Sequence, residues 1–261
     1  MLSMVRAQLY RLAKSRFTVL YAIVFFLIAL ATPFALWLNG VWPAFAATGF
    51  VVVPDEPLPS LQLYGVSFVG GSFLAIGAGV AVGYFVAEDF KSGFAKNLVQ
   101  TRGGRVSYVL ATVVCLVVLV AATTVFGMLV VELALRVQGY VPVLPSVAEA
   151  FQWFAQVTLC ASAYATMALL VGVVTKSETV TVLGAVFLGG GAVESLLKLV
   201  LANVPGVPVA VRDCLDGYLA VDLGVLAQGI ICDPVTYVQA GATILVVGAV
   251  AVLVIRRRSL G

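Results

Sequence analysis

Residues 106–131 read VSYVLATVVCLVVLVAATTVFGMLVV, a continuous stretch without Asp, Glu, Lys, Arg or Pro. An α-helix needs roughly 20 apolar residues to cross a hydrocarbon core of about 30 Å, so this stretch is long enough to span a membrane. A strand of a membrane barrel would need only about 10 residues and would alternate apolar with polar positions, which this stretch does not. The segment therefore predicts a membrane-spanning α-helix.

Five further apolar runs share this character, and the six predicted spans are residues 17–38, 63–87, 106–131, 153–174, 179–201 and 236–255. The composition agrees, because 62% of the 261 residues are hydrophobic, 10% are charged, and the mean hydropathy is +1.12. A soluble protein cannot cover so much apolar surface with so few polar residues. We therefore predict one all-α transmembrane domain over residues 1–261.

The first apolar run has two interpretations. Ala44, Phe45 and Ala46 have the pattern of a signal-peptide cleavage site. The run is longer than the usual signal core of about 7–15 residues, however, and it contains Pro33 and Trp37. We therefore expect an uncleaved membrane anchor.

The basic residues predict the orientation of the spans. Lys and Arg resist translocation and collect on the cytoplasmic side of a membrane. With six spans, only Arg136, Lys198 and Arg212 of the 15 Lys and Arg residues fall on the external side. Span count and charge bias agree, so we expect a multi-pass protein of the cytoplasmic membrane with both termini in the cytoplasm.

Several classes of chemistry are excluded on this chain. It has no histidine, which excludes Ser-His-Asp and Cys-His catalysis and histidine-ligated metal sites. It has no GxxxxGK[ST] motif, so it cannot bind ATP through a P-loop. Its net charge of +3 is too small and dispersed to indicate nucleic-acid binding. We expect no catalytic residue, metal or cofactor on this chain.

Two polar segments flank the early spans. Within residues 1–16, Leu2, Val5, Leu9 and Leu12 recur at helical spacing, while Arg6, Arg11 and Lys14 point away from them. This pattern predicts a helix in the membrane interface with its cations toward anionic head groups, or alternatively a simple basic anchor. In residues 88–105, Phe90, Phe94 and Leu98 share one helical face, and Gly103-Gly104 would end the helix. Such a segment either transmits motion from a partner or is an ordinary basic loop.

These features together resemble the permease subunit of the ABC type-2 transporter family, of the drug and lantibiotic exporter type. The resemblance rests on the N-terminal basic helix, on a polar excursion between spans five and six, and on Glu88, Ser92-Gly93, Lys96-Asn97-Leu98, Arg105 and Tyr108. The chain departs from the family's pattern at Phe94, where a threonine is common, and at Thr112, near which a lysine often opens span three.

The resemblance implies that residues 88–105 contain a coupling helix that docks on a separate P-loop ATPase. The residues that it assigns to this contact are Glu88, Asp89, Phe90, Gly93, Phe94, Lys96, Asn97 and Leu98. It implies two ATPase copies that bind ATP and Mg²⁺, and a second permease chain, identical or a sister chain, in the bilayer. The expected activity is export of an amphiphilic or hydrophobic cargo, such as a drug, an antimicrobial peptide or a lipid-like molecule. The alternative is a scaffold or sensor subunit that transports nothing.

Residues 203–235 predict an external cap. Leu215, Leu219, Leu226 and Ile230 recur opposite Asp213, Asp216 and Asp222, in a helix too interrupted to span. In the resembled family this region forms short re-entrant-like helices that dip into the outer leaflet. Cys214 and Cys232 bracket the segment on the oxidising side, either as a disulfide or as two thiols.

Glycines and acid–base pairs add further candidates. Glu132 precedes Arg136, and Glu194 precedes Lys198, by one favourable helical turn, which predicts either neutralised helix ends or a polar gate at the outer mouth. The second span carries Gly70, Gly71, Gly77, Gly79 and Gly83, which favour close helix packing over a conduction role. Gly189-Gly190-Gly191 predicts close packing or a kink in the fifth span.

Overall fold

The structure, a computed structural model, describes residues 2–42, 59–91, 104–204 and 218–257. Within these ranges the chain is helical and contains no β-strand beyond an isolated bridge between Pro59 and Val143. This confirms the predicted all-α class. Among the described residues, five helices are long and apolar enough to cross a membrane, and a sixth span results if one bent helix pair is counted as a span.

The helices are α1 Leu2–Lys14, α2 Arg16–Val41, α3 Ser60–Tyr64, α4 Phe73–Lys91, α5 Gly104–Val137, α6 Val147–Thr175, α7 Glu178–Gly189, α8 Ala192–Asn203, α9 Leu219–Ala227 and α10 Val235–Arg257. A π-helical turn, Gly65–Val69, and a 3-10 turn, Gly70–Ser72, join α3 to α4. The first, third, fourth and sixth predicted spans correspond to α2, α5, α6 and α10. The second predicted span comprises the sequence from α3 to α4.

The second span changes its backbone geometry halfway along its length. Gly71 has φ +63° and Ser72 has φ +58°. Glycine adopts this left-handed region readily because it lacks a Cβ atom, whereas a non-glycine residue rarely does. The regular helix therefore resumes only at Phe73, and the first part of the span remains a separate short segment.

The fifth predicted span, residues 179–201, is a bent helix pair in the structure, with the break at the predicted glycine triplet. α7 and α8 meet at a bend of 62°. Gly191, with φ +72°, is the N-cap of α8 and permits this turn. Gly189 meanwhile lies so close to α4 that an added Cβ would be 3.1 Å from the backbone nitrogen of Ile76. The glycine triplet thus provides both of the predicted effects, a kink and close packing.

Small residues bring α4 and α7 into close contact. An added Cβ at Gly79 would lie 2.6 Å from the Cβ of Ala185, and one at Gly83 would lie 3.0 Å from a methyl group of Thr181. Such proximity is available only to glycine and supports the packing role predicted for these glycines.

The core of the bundle forms around α6. In the most apolar stretch of 18 residues in α6, 72% of the residues are buried, whereas 22% are buried in the corresponding stretch of α2. Trp153 of α6 is fully buried and makes an edge contact with Phe68, at 6.2 Å between ring centroids. α2 therefore presents most of its apolar surface outward, as lipid-facing helices do.

Candidate functional site

A buried ion pair joins the N-terminal helix to the second span at one end of the bundle. Asp89, near the end of α4, is 1% exposed, and its Oδ1 lies 2.6 Å from a terminal guanidinium nitrogen of Arg11 in α1. The hydroxyl of Tyr108 in α5 donates to Oδ2 of Asp89 at 2.9 Å. One carboxylate therefore holds three helices, and we call Arg11, Asp89 and Tyr108 the basic-end triad.

Further contacts fix α1 against α5 beside the triad. Gln8 is 1% exposed, and its Oε1 accepts a hydrogen bond from the hydroxyl of Thr112 at 3.2 Å. The thiol of Cys115 points at the carbonyl oxygen of Val5, 3.8 Å away. The guanidinium carbon of Arg11 also lies 5.5 Å from the centroid of the Phe85 ring. These contacts attach α1 to the bundle.

The structure corrects the predicted direction of Arg11. Arg6 and Lys14 are exposed as predicted, but Arg11 points inward to Asp89 and its side chain is only 28% exposed. The most buried face of α1 includes Gln8, which precedes Arg11 by three residues and therefore shares its face. Apolar spacing identifies the flanking leucines of α1. It does not identify a polar residue that is buried because its partner is distant in sequence.

Three of the eight residues predicted for the coupling contact lie within the described part of the chain. Glu88 is exposed, Asp89 belongs to the triad, and Phe90 is half-buried with the Lys176 ammonium 5.9 Å from its ring centroid. The remaining predicted residues of this contact, Gly93, Phe94, Lys96, Asn97 and Leu98, lie outside the described residues. The segment is bounded by the end of α4 and the start of α5. It therefore departs from the end that carries the triad, hereafter the basic end.

The first predicted acid–base pair lies at the opposite end of the bundle. Arg136 Nε donates to Glu132 Oε1 at 2.7 Å, and the Tyr64 hydroxyl donates to the other carboxylate oxygen at 2.8 Å. Tyr64 in turn contacts Trp153, near the start of α6. Glu132 thus combines the predicted local neutralisation with a link to the second span.

The second predicted acid lies deeper than expected. Glu194 is 6% exposed, and its Oε2 accepts a hydrogen bond from the Tyr164 hydroxyl at 2.9 Å. Tyr164 follows Trp153 by eleven helical residues, or about 16 Å along α6. Because the chain turns at Gly191, Glu194 lies in the first turn of α8 and not further along one continuous helix. Lys198 attracts Glu194 electrostatically, as its spacing predicts.

The described part of the predicted cap contains the short helix α9, and this part is attached to α6. The indole nitrogen of Trp153 donates to the carbonyl of Leu226 at 2.9 Å. The Gln156 side chain exchanges two hydrogen bonds with the backbone of Cys232, at 2.7 and 2.9 Å. Buried polar groups of this kind are a sequence signal, because an amide within an apolar span requires a partner.

Glycines let α9 approach the irregular part of the second span. An added Cβ at Gly65 would lie 2.4 Å from the carbonyl oxygen of Ala227, and one at Gly229 would lie 2.4 Å from the backbone nitrogen of Gln62. Both distances are shorter than any Cβ contact allows. α9 is therefore packed backbone to backbone against this segment.

The predicted apolar stripe of the cap is confirmed in part. Leu219 and Leu226 are buried, whereas Ile230 lies beyond the end of α9 and is 54% exposed. Asp222 is half-buried, and burial raises the pKa of its carboxyl. Leu215, Asp213 and Asp216 lie outside the described residues.

The cysteine pairing of the cap stays a prediction, because Cys214 lies outside the described residues. The thiol of Cys232 points at the carbonyl of Asp222, with Sγ 3.5 Å from the oxygen. Burial raises the pKa of this thiol to about 11, which leaves little reactive thiolate at neutral pH.

Within the described ranges, no group of three or more His, Cys, Asp or Glu residues is arranged to hold a metal ion. The sequence patterns assign no role to Tyr108 or Tyr164. Both are buried tyrosines that donate to carboxylates.

No protein-family model matches the chain, and no curated protein matches it.

Proposed function

We propose that this chain is the membrane-spanning permease subunit of an ATP-driven exporter, with ATP hydrolysis on a separate P-loop ATPase. Two ATPase copies and a second permease chain would complete the assembly in the cytoplasmic membrane. The basic end would face the cytoplasm, in keeping with the distribution of Lys and Arg. The cargo would be amphiphilic or hydrophobic, because the spans are apolar.

The observation that carries this proposal is the basic-end triad. The segment between α4 and α5 is the predicted docking site, and it leaves the bundle within a few residues of Asp89. Because Asp89 binds both Arg11 and Tyr108, a displacement of this segment would move α1, α4 and α5 together. A coupling element needs such a rigid attachment, since force applied to a loose loop would not reach the spans.

The opposite end supports a pathway that can open. There the second span is interrupted, and α9 lies against both α6 and the irregular segment of span two, while the fifth span is interrupted nearer the middle of the bundle. Interrupted spans expose backbone groups that must be satisfied by neighbours, and such breaks are common where transporters bind or pass cargo. α9 would then close the pathway on the external side.

The experiment that tests this function is co-purification of the tagged, detergent-solubilised chain from its native cells, followed by an assay for ATP hydrolysis. The test variant is Glu88→Ala with Phe94→Ala. The matched control is Glu178→Ala with Phe187→Ala, which removes the same residue types from α7.

We expect an ATPase to co-purify with wild type and with the control. With the test variant, the ATPase should either be lost or remain bound but uncoupled. If no ATPase associates while the chain stays monodisperse, the exporter proposal is wrong and the scaffold or sensor alternative replaces it.

A further inference from the structure

An apolar groove runs along the lipid-facing side of the bundle between α2 and α4. It has a volume of about 270 Å³ and is lined by Leu20, Val24 and Ile28 from α2 and by Phe73, Ile76 and Val80 from α4. We call it the α2–α4 groove. Its wall recedes at Gly77, where an added Cβ would lie 3.3 Å from the ring of Tyr21.

The groove has the length of one membrane leaflet. Along α2 it extends from Phe17 to Ile28, which at 1.5 Å per residue is about 16 Å. Half of a hydrocarbon core of about 30 Å is close to this length. Towards the basic end, the rings of Phe17 and Tyr84 stack at 4.3 Å between centroids.

Two cations stand next to this end of the groove. Lys14 is the last residue of α1 and Arg16 is the first residue of α2, directly before Phe17. Both are exposed, and in the described part of the chain neither forms an ion pair. Arg11, by contrast, is already bound by Asp89. The first turn of α2 contains no acidic residue, so the positive end of its helix dipole adds to the two charges.

We propose that this site binds one anionic phospholipid, with an acyl chain in the α2–α4 groove and the phosphate between Lys14 and Arg16. Charge complementarity selects the head group. An uncharged or zwitterionic lipid would be bound only through the apolar contacts of its acyl chain with the groove. The apolar lining selects a hydrocarbon chain, because the Tyr21 hydroxyl is the one polar side-chain group among the residues that line the groove. This inference is independent of what the chain transports.

The test is native mass spectrometry of the purified full-length chain, titrated with phosphatidylglycerol or with phosphatidylcholine of the same acyl chains. The head-group variant is Lys14→Ala with Arg16→Ala. Its matched control is Arg256→Ala with Arg257→Ala, which removes two cations from the end of α10. The groove variant is Gly77→Leu, and its control is Gly241→Leu, which enters open space.

For wild type we expect one phosphatidylglycerol bound at least tenfold more tightly than phosphatidylcholine. The head-group variant should lose roughly 10- to 30-fold in affinity for phosphatidylglycerol, as expected for two surface cations. Gly77→Leu should weaken both lipids, and neither control should change binding. Circular dichroism melting identifies folded variants before they are compared.

Equal affinity of wild type for the two lipids would overturn the proposal. So would a head-group variant that loses no more than its α10 control. If Gly77→Leu alters the fraction of dimer and leaves lipid binding unchanged, the groove is a contact between copies of the chain, and the lipid assignment is wrong.

Discussion

The two ends of the bundle are built differently. At the basic end, α4 continues as regular helix to its last residue, and a charged network ties it to α1 and α5. Towards the opposite end, the second span breaks at positive-φ residues and α9 packs against it through glycines, while the fifth span breaks at Gly191, nearer the middle of the bundle. Removing one partner of a buried ion pair leaves an uncompensated charge, whereas a side chain added at a close backbone contact creates a steric clash. The basic end therefore depends on charge, and the opposite end depends on the absence of side chains at its glycines.

The largest effect should follow from breaking the basic-end triad. Asp89→Ala leaves Arg11 and Tyr108 without their common acceptor, and we expect it to lower the free energy of unfolding by about 3 kcal/mol. Denaturant titration in mixed micelles, followed by circular dichroism, measures this change. The control replaces both charges, Arg11→Met with Asp89→Leu, and should cost much less because no buried charge remains. A single variant no worse than this double variant would show that the triad is not a stabilising unit.

The next effect tests the close approach at the opposite end. Gly229→Ala forces a Cβ onto the backbone of Gln62 at φ +78°, and we expect a loss of about 2 kcal/mol. The matched control is Gly224→Ala within α9, where nothing lies within 4 Å of the added atom. Alanine is the better helix former, so this control should stabilise by up to about 1 kcal/mol. The same titration compares the two, and equal effects would contradict the packing of α9.

A smaller effect concerns the buried acid in the middle of the bundle. Tyr164→Phe removes the donor to Glu194, and we expect a loss of about 1–2 kcal/mol in unfolding free energy. Tyr237→Phe is the control, because the Tyr237 hydroxyl makes only an exposed bond of 3.3 Å to the carbonyl of Gln152. A double-mutant cycle with Glu194→Ala, which removes the acceptor, should recover a coupling near 1 kcal/mol. No measurable coupling would mean that the two side chains do not interact in the folded protein.

The smallest effect is expected at the exposed pair. The Arg136 side chain is 58% exposed, and an exposed pair one helical turn apart contributes little, so Arg136→Ala should cost less than about 0.5 kcal/mol. Glu132→Ala should cost more, about 1 kcal/mol, because it also removes the acceptor of the Tyr64 hydroxyl. Thermal melting of both variants in the same detergent compares them. The reverse order would show that the ion pair outweighs the link to span two.

Part of the candidate site could be predicted from the chain alone. The spacing of basic residues predicts Arg6, Arg11 and Lys14 as the cations of the N-terminal helix. The resemblance predicts the coupling contact that includes Asp89. Neither indicated that Arg11 and Asp89 bind one another. Their pairing depends on how α1 lies across α4, and no local pattern contains that angle. The contact between Glu194 and Tyr164 is equally absent from the local pattern, since hydropathy measures how apolar a run is and does not measure its direction.

The amino-acid sequence by itself determined the all-α class of this protein and the approximate position of five segments long and apolar enough to cross a membrane. Apolar length and charge are local quantities, and a bilayer converts them directly into spans and orientation. Only the tertiary structure decided which polar residues meet, where α9 is inserted, and that the fifth span turns by 62°. These features depend on contacts between residues far apart in the chain, where a few tenths of an ångström at a glycine decide whether two backbones can touch.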